Sequence, residues 1–175
     1  MIVCTLKQYI DKNDLNISAL SKKCGISRPP LIALANGTSK GIQFDTLDKL
    51  CRFFHISPSD LLLRFDESDV CADVDLSSVD WNRPSRLVCS GTITVGRFIM
   101  DTEVLLSVET DGFDAEIRLS RNSLDDEEIE FFLEIVEEHQ EISNSIRTTV
   151  EKFIENQILD SCPLDGAAYS VQLVL

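Results

Sequence analysis

Histidine is nearly missing from this sequence: two stand in 175 residues, His55 and His139. The six cysteines, at positions 4, 24, 51, 71, 89 and 162, include no Cys-x-x-Cys pair. With so few nitrogen ligands and no paired thiols, no zinc site is expected, and the sequence implies no metal or other cofactor. His55 falls in a turn with no second ligand near it and reads as structural. Nucleophile-elbow, phosphate-loop and Ser–His–Asp spacings are all lacking. Neighbouring acids such as Asp125/Asp126 and Glu137/Glu138 read as solvated helix faces. The acids around a hairpin at 101–116 do not have the spacing of a calcium loop. No catalytic residue is therefore expected, and the chain is not read as an enzyme. Apolar runs are short of the roughly 18–20 residues of a membrane span. The opening MIVCTLKQYIDKND has no basic stretch followed by a long apolar one, so no secretory leader is expected. Cys24 and Cys51 lie on apolar stripes, where a reduced thiol packs as a small hydrophobe. A reduced, cytoplasmic protein is the expectation.

Positive charge is scarce too, but unevenly. The chain carries 16 Lys/Arg against 30 Asp/Glu, a net charge of −14. Residues 1–66 hold nine cations and six acids, giving +3; residues 67–175 hold seven and twenty-four, giving −17. Such asymmetry predicts two domains with different partners.

The stretch that is richest in local signals is Asn16–Gly37, NISALSKKCGISRPPLIALANG. Ile17, Leu20 and Cys24 recur at helical spacing. Asn16 is placed to cap that helix, because its side chain can accept from unpaired first-turn amides. Gly25 ends it in the left-handed conformation a helix C-terminus favours, and Ile26 is an apolar plug. Ser27 is expected to cap a second helix, Arg28 to Asn36, closed by Gly37. Pro29 and Pro30 sit in its first turn, where a missing N–H costs little.

The spacing Leu20, Gly25, Ile26, Leu31, Leu34, Gly37 resembles the Cro/C1-type (XRE-like) helix-turn-helix family. Ser39–Ile42, Phe44–Cys51 and Ser57–Leu62 look like the segments leading into its fourth and fifth helices. The resemblance covers residues 1–65 and implies an all-α domain of five helices that binds double-stranded DNA, generally as a dimer. Residues 3–13 would be the first helix, with Leu6, Tyr9 and Ile10 on one face. Where the family often pairs an Arg of this helix with a Glu of the recognition helix, Ile10 and Ala35 stand, so an apolar contact replaces an ion pair.

In the family the positions that usually reach base edges match Arg28, Pro29 and Ala33, directly after the Ser27 cap. Arg28 can bind guanine O6 and N7 bidentately; Pro29 and Ala33 can only touch thymine methyls, and Ile32 is apolar where a polar residue is usual. Phosphate contacts fall to Asn16, Ser18 and Lys22 near the second helix, and to Asn36, Thr38, Ser39 and Lys40 in the following loop; these position a protein without reading sequence. The same Pro29, Ile32 and Ala33 would equally suit an apolar surface for another protein or a second copy.

Phe44 to Phe54 carries Leu47, Leu50, Cys51 and Phe54 on one face. Ser57 and Pro58 open the next helix, followed by Leu61–Leu63. Residues 66–75 read as an acidic linker, and 76–175 as an acidic α+β domain. Leu87, Cys89, Gly91, Ile93 and Val95 alternate along one strand. Val104–Thr110 and Phe113–Leu119 flank Asp111-Gly112, a pair favouring a type I′ hairpin. Ser123–Asp126 resembles a capping box for a helix over about 124–139. A second helical pattern runs from Ile142 to Ile158, either continuous with the first or hinged near 139–144. Pro163 and Gly166 mark a turn before a last strand at 167–175.

The leading functional expectation is a transcriptional regulator that represses its own operon, as in phage and mobile elements, dimerising through the apolar Ile142–Ile158 pattern. The alternative is an anti-CRISPR-like inhibitor whose acidic domain competes with nucleic acid for the basic groove of a nucleic-acid-binding protein, with the helix-turn-helix for autoregulation or dimerisation; the fusion of a helix-turn-helix to an inhibitory domain resembles the architecture of some anti-CRISPR proteins. Glu130, Glu134, Glu137 and Glu138, within a stretch of nine acids and no Lys or Arg at 125–141, are the candidate partner-binding residues.

Overall fold

A computed structural model describes residues 1–110, 112–162 and 168–174. Two compact units divide the chain, Met1–Phe65 and Asp66–Leu175. Among the described residues no helix is long and apolar enough to cross a membrane.

The first unit contains five helices: α1 Leu6–Lys12, α2 Ile17–Cys24, α3 Arg28–Ala35, α4 Phe44–Phe54 and α5 Pro58–Leu61. The leucines spaced three and four apart close on one core, with Leu6, Leu20, Leu31, Leu50 and Leu61 fully buried. Ile10 is buried in that core and Ala35 packs against the same core. Asn16 accepts the Ala19 N–H at 2.9 Å, and Gly25 and Gly37 both have positive φ, ending α2 and the turn after α3. Ser57 and Asp60 complete a reciprocal cap on α5. Burial raises the thiols of Cys4, Cys24 and Cys51 above their ordinary value, so they remain protonated packing groups.

This unit is not wholly helical. The expected first helix begins three residues late, because Ile2–Cys4 forms a strand, β1, antiparallel to β2, Leu62–Arg64. The β-branched Ile2 and Val3 suit an extended backbone, and α5 ends after four residues to supply the partner. Thr5 joins the two: its N–H donates to Leu61 O at 3.0 Å and its hydroxyl to Asp60 O at 2.6 Å.

The second unit is a five-stranded sheet with helices. In order across the sheet lie β3 Val70–Val74, β4 Ser85–Val95, β5 Phe98–Val108, β6 Gly112–Leu119 and β7 Ala168–Val174. All neighbours are antiparallel except β6 and β7, which are parallel. Between those two run α6 Arg121–Leu124, α7 Glu127–Glu138 and α8 Gln140–Ser161. Alternate residues, among them Ile93, Met100, Val104, Leu106 and Ile117, bury one sheet face. Phe98 on that face stacks on Phe132 of α7 at 4.2 Å between ring centres.

Several sequence expectations are corrected here. The stretch 66–75 is not a linker: it holds a 3₁₀ turn, Glu67–Asp69, and the edge strand β3, whose Val70, Ala72 and Val74 alternate into the core. The two helical patterns are separate, broken at His139, whose N–H donates to Val136 O. Ser123 does not cap α7. Asp126 does, accepting the N–H groups of Glu128 and Ile129. Ser123 is instead buried, its hydroxyl accepting from Asp101 N–H and donating to Asp101 O, beyond the end of β6. In the hairpin, the β5–β6 register sets Val108 opposite Phe113, and Glu109 N–H donates to Gly112 O. Gly112 is therefore the first residue of β6. Asp111 itself, and so the turn type, lies outside the described residues, as does the expected turn at Pro163–Gly166.

The apolar stripe of α8 is consumed within the unit. Ile142, Ile146, Val150, Ile154 and Ile158 are all buried. The stripe therefore supplies no surplus surface for a second copy.

Helix α8 also hydrogen-bonds to backbone groups of both edge strands. Exposed edge strands present unpaired backbone groups that invite another chain. On β3, Gln157 accepts Val74 N–H at 2.9 Å and donates to Ala72 O at 3.0 Å. On β7, Glu151 accepts Leu173 N–H and Arg147 donates to Leu173 O. Gln157→Leu should lower the unit's stability by about 1–3 kcal/mol, since it strands one donor and one acceptor at a partly buried edge. Urea denaturation of the full chain measures this. An unchanged midpoint would mean that water serves that edge as well as glutamine does.

Candidate nucleic-acid interface

The turn between α2 and α3 is set by Gly25 and by Ile26, whose buried side chain anchors it while its carbonyl accepts the Ser21 hydroxyl at 2.6 Å. Leu31 and Leu34 bury the inner side of α3. The opposite side presents Arg28, Pro29, Pro30, Ile32 and Asn36 to solvent, with Ala33 half-buried among them. Pro29, Ile32, Ala33 and Asn36 follow i, i+3, i+4, i+7 spacing and so share one stripe.

Ser27 occupies the cap position of α3 with an extended backbone, yet its side chain makes no capping bond. A cap oxygen accepts from the second or third amide of the helix. Here those residues are Pro29 and Pro30, which have no N–H to give. The hydroxyl expected to be used as a cap is consequently left facing outward.

Asn16 is exposed; its Oδ1 is engaged by Ala19, which leaves its amide NH2 as the donor for an outside acceptor. Ser18 is half-buried on α2, and Lys22 is exposed one turn further on. In the loop after α3, Thr38 and Ser39 both donate backbone N–H to Ala33 O. The Thr38 hydroxyl donates to the same carbonyl at 3.3 Å and the Ser39 hydroxyl to Gly41 O at 2.6 Å. These two hydroxyls shape the loop, and as donors to a phosphate they would have to leave those carbonyls. Lys40 is exposed between them and α4.

The cations of this unit fall into two sets. Lys49 and Arg52 on α4 pair with Asp45 and Asp48 at 2.6 and 3.0 Å. Lys23 lies over the Phe53 ring at 5.9 Å, and Lys7, Lys12 and Arg64 have partners as well. Among the described residues, Lys22, Arg28 and Lys40 have no ion pair or hydrogen bond of their own. These three sit on α2, at the first position of α3 and in the loop that follows it.

One part of the surface had no clear sequence signal. A groove of about 470 Å³ runs between the α2–α3 turn and the start of α4, lined by Ser27, Ser39, Gln43, Thr46 and Lys49, with Asp45 also in its wall. Gln43 precedes α4 and makes no side-chain cap, and Phe44 beside it is 88% exposed. The residues lie far enough apart in sequence that only folding brings them together.

On the second unit, Glu130, Glu134, Glu137 and Glu138 are exposed along α7. Glu128 of the same helix reaches Arg97 at 3.4 Å, and Glu138 has a partner of its own. Among the described residues no group of three or more His, Cys, Asp or Glu side chains is arranged to hold a metal ion.

Residues 5–67 match the model of the Cro/C1-type helix-turn-helix DNA-binding domain. The chain is 31% identical over 61 residues to the uncharacterized HTH-type transcriptional regulator YozG of Bacillus subtilis (strain 168), covering 35% of this chain and 73% of that protein. No solved structure matches. The helix pair α2–α3, its glycine-capped turn and the match over 5–67 agree, and through its N-terminal unit the chain belongs to the Cro/C1-type helix-turn-helix DNA-binding family.

Proposed function

We propose that the chain is a transcriptional regulator of the phage or mobile-element type that binds the promoter of its own gene and represses it. The observation that carries this reading is the distribution of unpaired cations. Of nine Lys and Arg in 1–66, the three without an internal partner flank the helix that a helix-turn-helix lays in the major groove. A cation held in an ion pair must break it to meet a phosphate; Lys22, Arg28 and Lys40 need break nothing. Asn16 and Ser18 at the start of α2, with Ser27, Asn36, Thr38 and Ser39 around α3, are proposed as the surrounding polar contacts.

One recognition helix spans too few base pairs for specificity, so the active species is proposed to be a homodimer on two half-sites. The C-terminal unit brings copies together or meets a partner. Since the α8 stripe is buried, the surface left for that task is the other sheet face, where Val88 and Ile99 are 61% and 64% exposed. A second reading, inhibition of a basic nucleic-acid-binding protein, is favoured by one feature: Glu130, Glu134 and Glu137 are exposed on a single helix that carries no Lys or Arg.

Electrophoretic retardation of the gene's own promoter tests the leading reading. Binding should weaken steeply with salt. Two phosphate-facing cations per copy, Lys22 and Lys40, and two copies give a log–log slope of roughly −4. A protein that retards no duplex at low salt would overturn it.

A further inference from the structure

The exposed stripe of α3 has an unusual chemical inventory. Between Arg28 and Ala35 the sequence is RPPLIALA, so Arg28 is the one side chain in the helix able to donate or accept a hydrogen bond. Beyond it the outward stripe is Pro29, Ile32 and Ala33, with Ile32 46% exposed. The helix backbone adds little, because the second and third residues are prolines without N–H groups.

In the major groove, guanine, cytosine and adenine edges present only hydrogen-bonding groups, while thymine adds a C5-methyl. An apolar stripe laid against N7, O6 or N4 would strip water from those groups and offer nothing in return, which is costly. Against a thymine methyl it buries apolar surface on both sides.

We propose that this protein selects its operator by thymine methyl groups, with Pro29, Ile32 and Ala33 packing on thymines adjacent to the one base pair read by Arg28. Asn36 ends the stripe; it and the loop residues Thr38 and Ser39 take no part in the reading by methyl contact. The inference rests on DNA binding as proposed above and specifies the base chemistry that binding selects. The alternative occupant of the stripe, a second copy of the chain, is addressed by the same experiment.

Selection of duplexes from a random library by the full-length chain should enrich half-sites with two or more thymines beside a guanine. Replacing those thymines by deoxyuridine removes only the methyls and keeps pairing. Each such replacement should weaken binding about fourfold, the equivalent of one buried methyl. Ile32→Ala, at a solvent-exposed position where the core is untouched, should shrink that deoxyuridine effect while far-ultraviolet circular dichroism stays the same. Enriched sites that bind equally well with deoxyuridine would overturn the inference and leave the proposed function standing. So would an Ile32→Glu variant that changes the sedimenting species without DNA while deoxyuridine has no effect, since the stripe would then dock a second copy. If no duplex is enriched or retarded, the DNA-binding reading itself fails.

Discussion

Gly112→Ala is expected to cost the C-terminal unit about 1–3 kcal/mol or more, the range for overpacking a site that cannot relax. A Cβ at residue 112 would run into the Ala168 carbonyl of β7. The obstacle is backbone, held in place by the parallel β6–β7 pairing from Gly112–Ala168 to Arg118–Val174, so it cannot swing aside as a side chain would. Gly96 is a useful contrast. Its φ is +58° and nothing lies within 4 Å of an added Cβ, so alanine there meets only backbone strain, roughly 1 kcal/mol. Trp81 is the chain's single tryptophan, and it packs edge-on to Phe113 at 6.4 Å. Its fluorescence therefore reports this unit, and urea titrations of both variants followed at tryptophan wavelengths provide the measurement. A Gly112→Ala midpoint no lower than that of Gly96→Ala would show that β7 does not approach β6 as described.

The same glycine illustrates what the sequence leaves hidden. Beside Asp111 it reads as a turn residue, because an Asp-Gly pair between two alternating runs favours a hairpin. Its use is set instead by pairing with a strand 56 positions later; that strand is legible in the sequence, but no local pattern announces which neighbour it takes. Ser123 and Gln157 belong to the same class: one looks like a helix cap and the other like a solvent-facing helix residue, and both serve strand edges distant in sequence. The strands β1, β2 and β3 were missed because three to five residues are too few for a period to stand out. By contrast the helix-turn-helix was legible throughout α2 and α3, since its determinants are local: the Asn16 cap, left-handed Gly25 and Gly37, and leucines at helical spacing. At the interface, residue types gave the candidates, but the pairing of Lys49 and Arg52 and the freedom of Lys22, Arg28 and Lys40 required knowing which acids lie within reach. Ser27 shows a subtler limit. The motif of serine before a helix was read correctly as position, and incorrectly as a bond, because the two prolines that follow remove the donors.

Arg28→Ala and Lys40→Ala should weaken DNA binding in ways that can be told apart. Arg28 stands at the first position of α3, is exposed and unpaired, and is the sole hydrogen-bonding side chain on the helix. Its guanidinium matches guanine O6 and N7, so its removal should cost about 1–3 kcal/mol at one base pair and leave that position unselective. Lys40 lies in the loop beyond the helix, where an ammonium meets phosphate as a point charge. Its removal should weaken all duplexes alike and reduce the salt slope by about 1 for each copy bound. Neither side chain contributes to the core, so thermal stability should be unchanged in both. Binding to an operator and to its single-base variants, measured at several salt concentrations, separates the two signatures. If Arg28→Ala lowered affinity for every sequence by the same factor, arginine would be a phosphate contact. The helix would then have no polar reader between its ends, and selectivity would have to come from its apolar stripe, from Asn36 at its C-terminal cap and from the shape of the duplex.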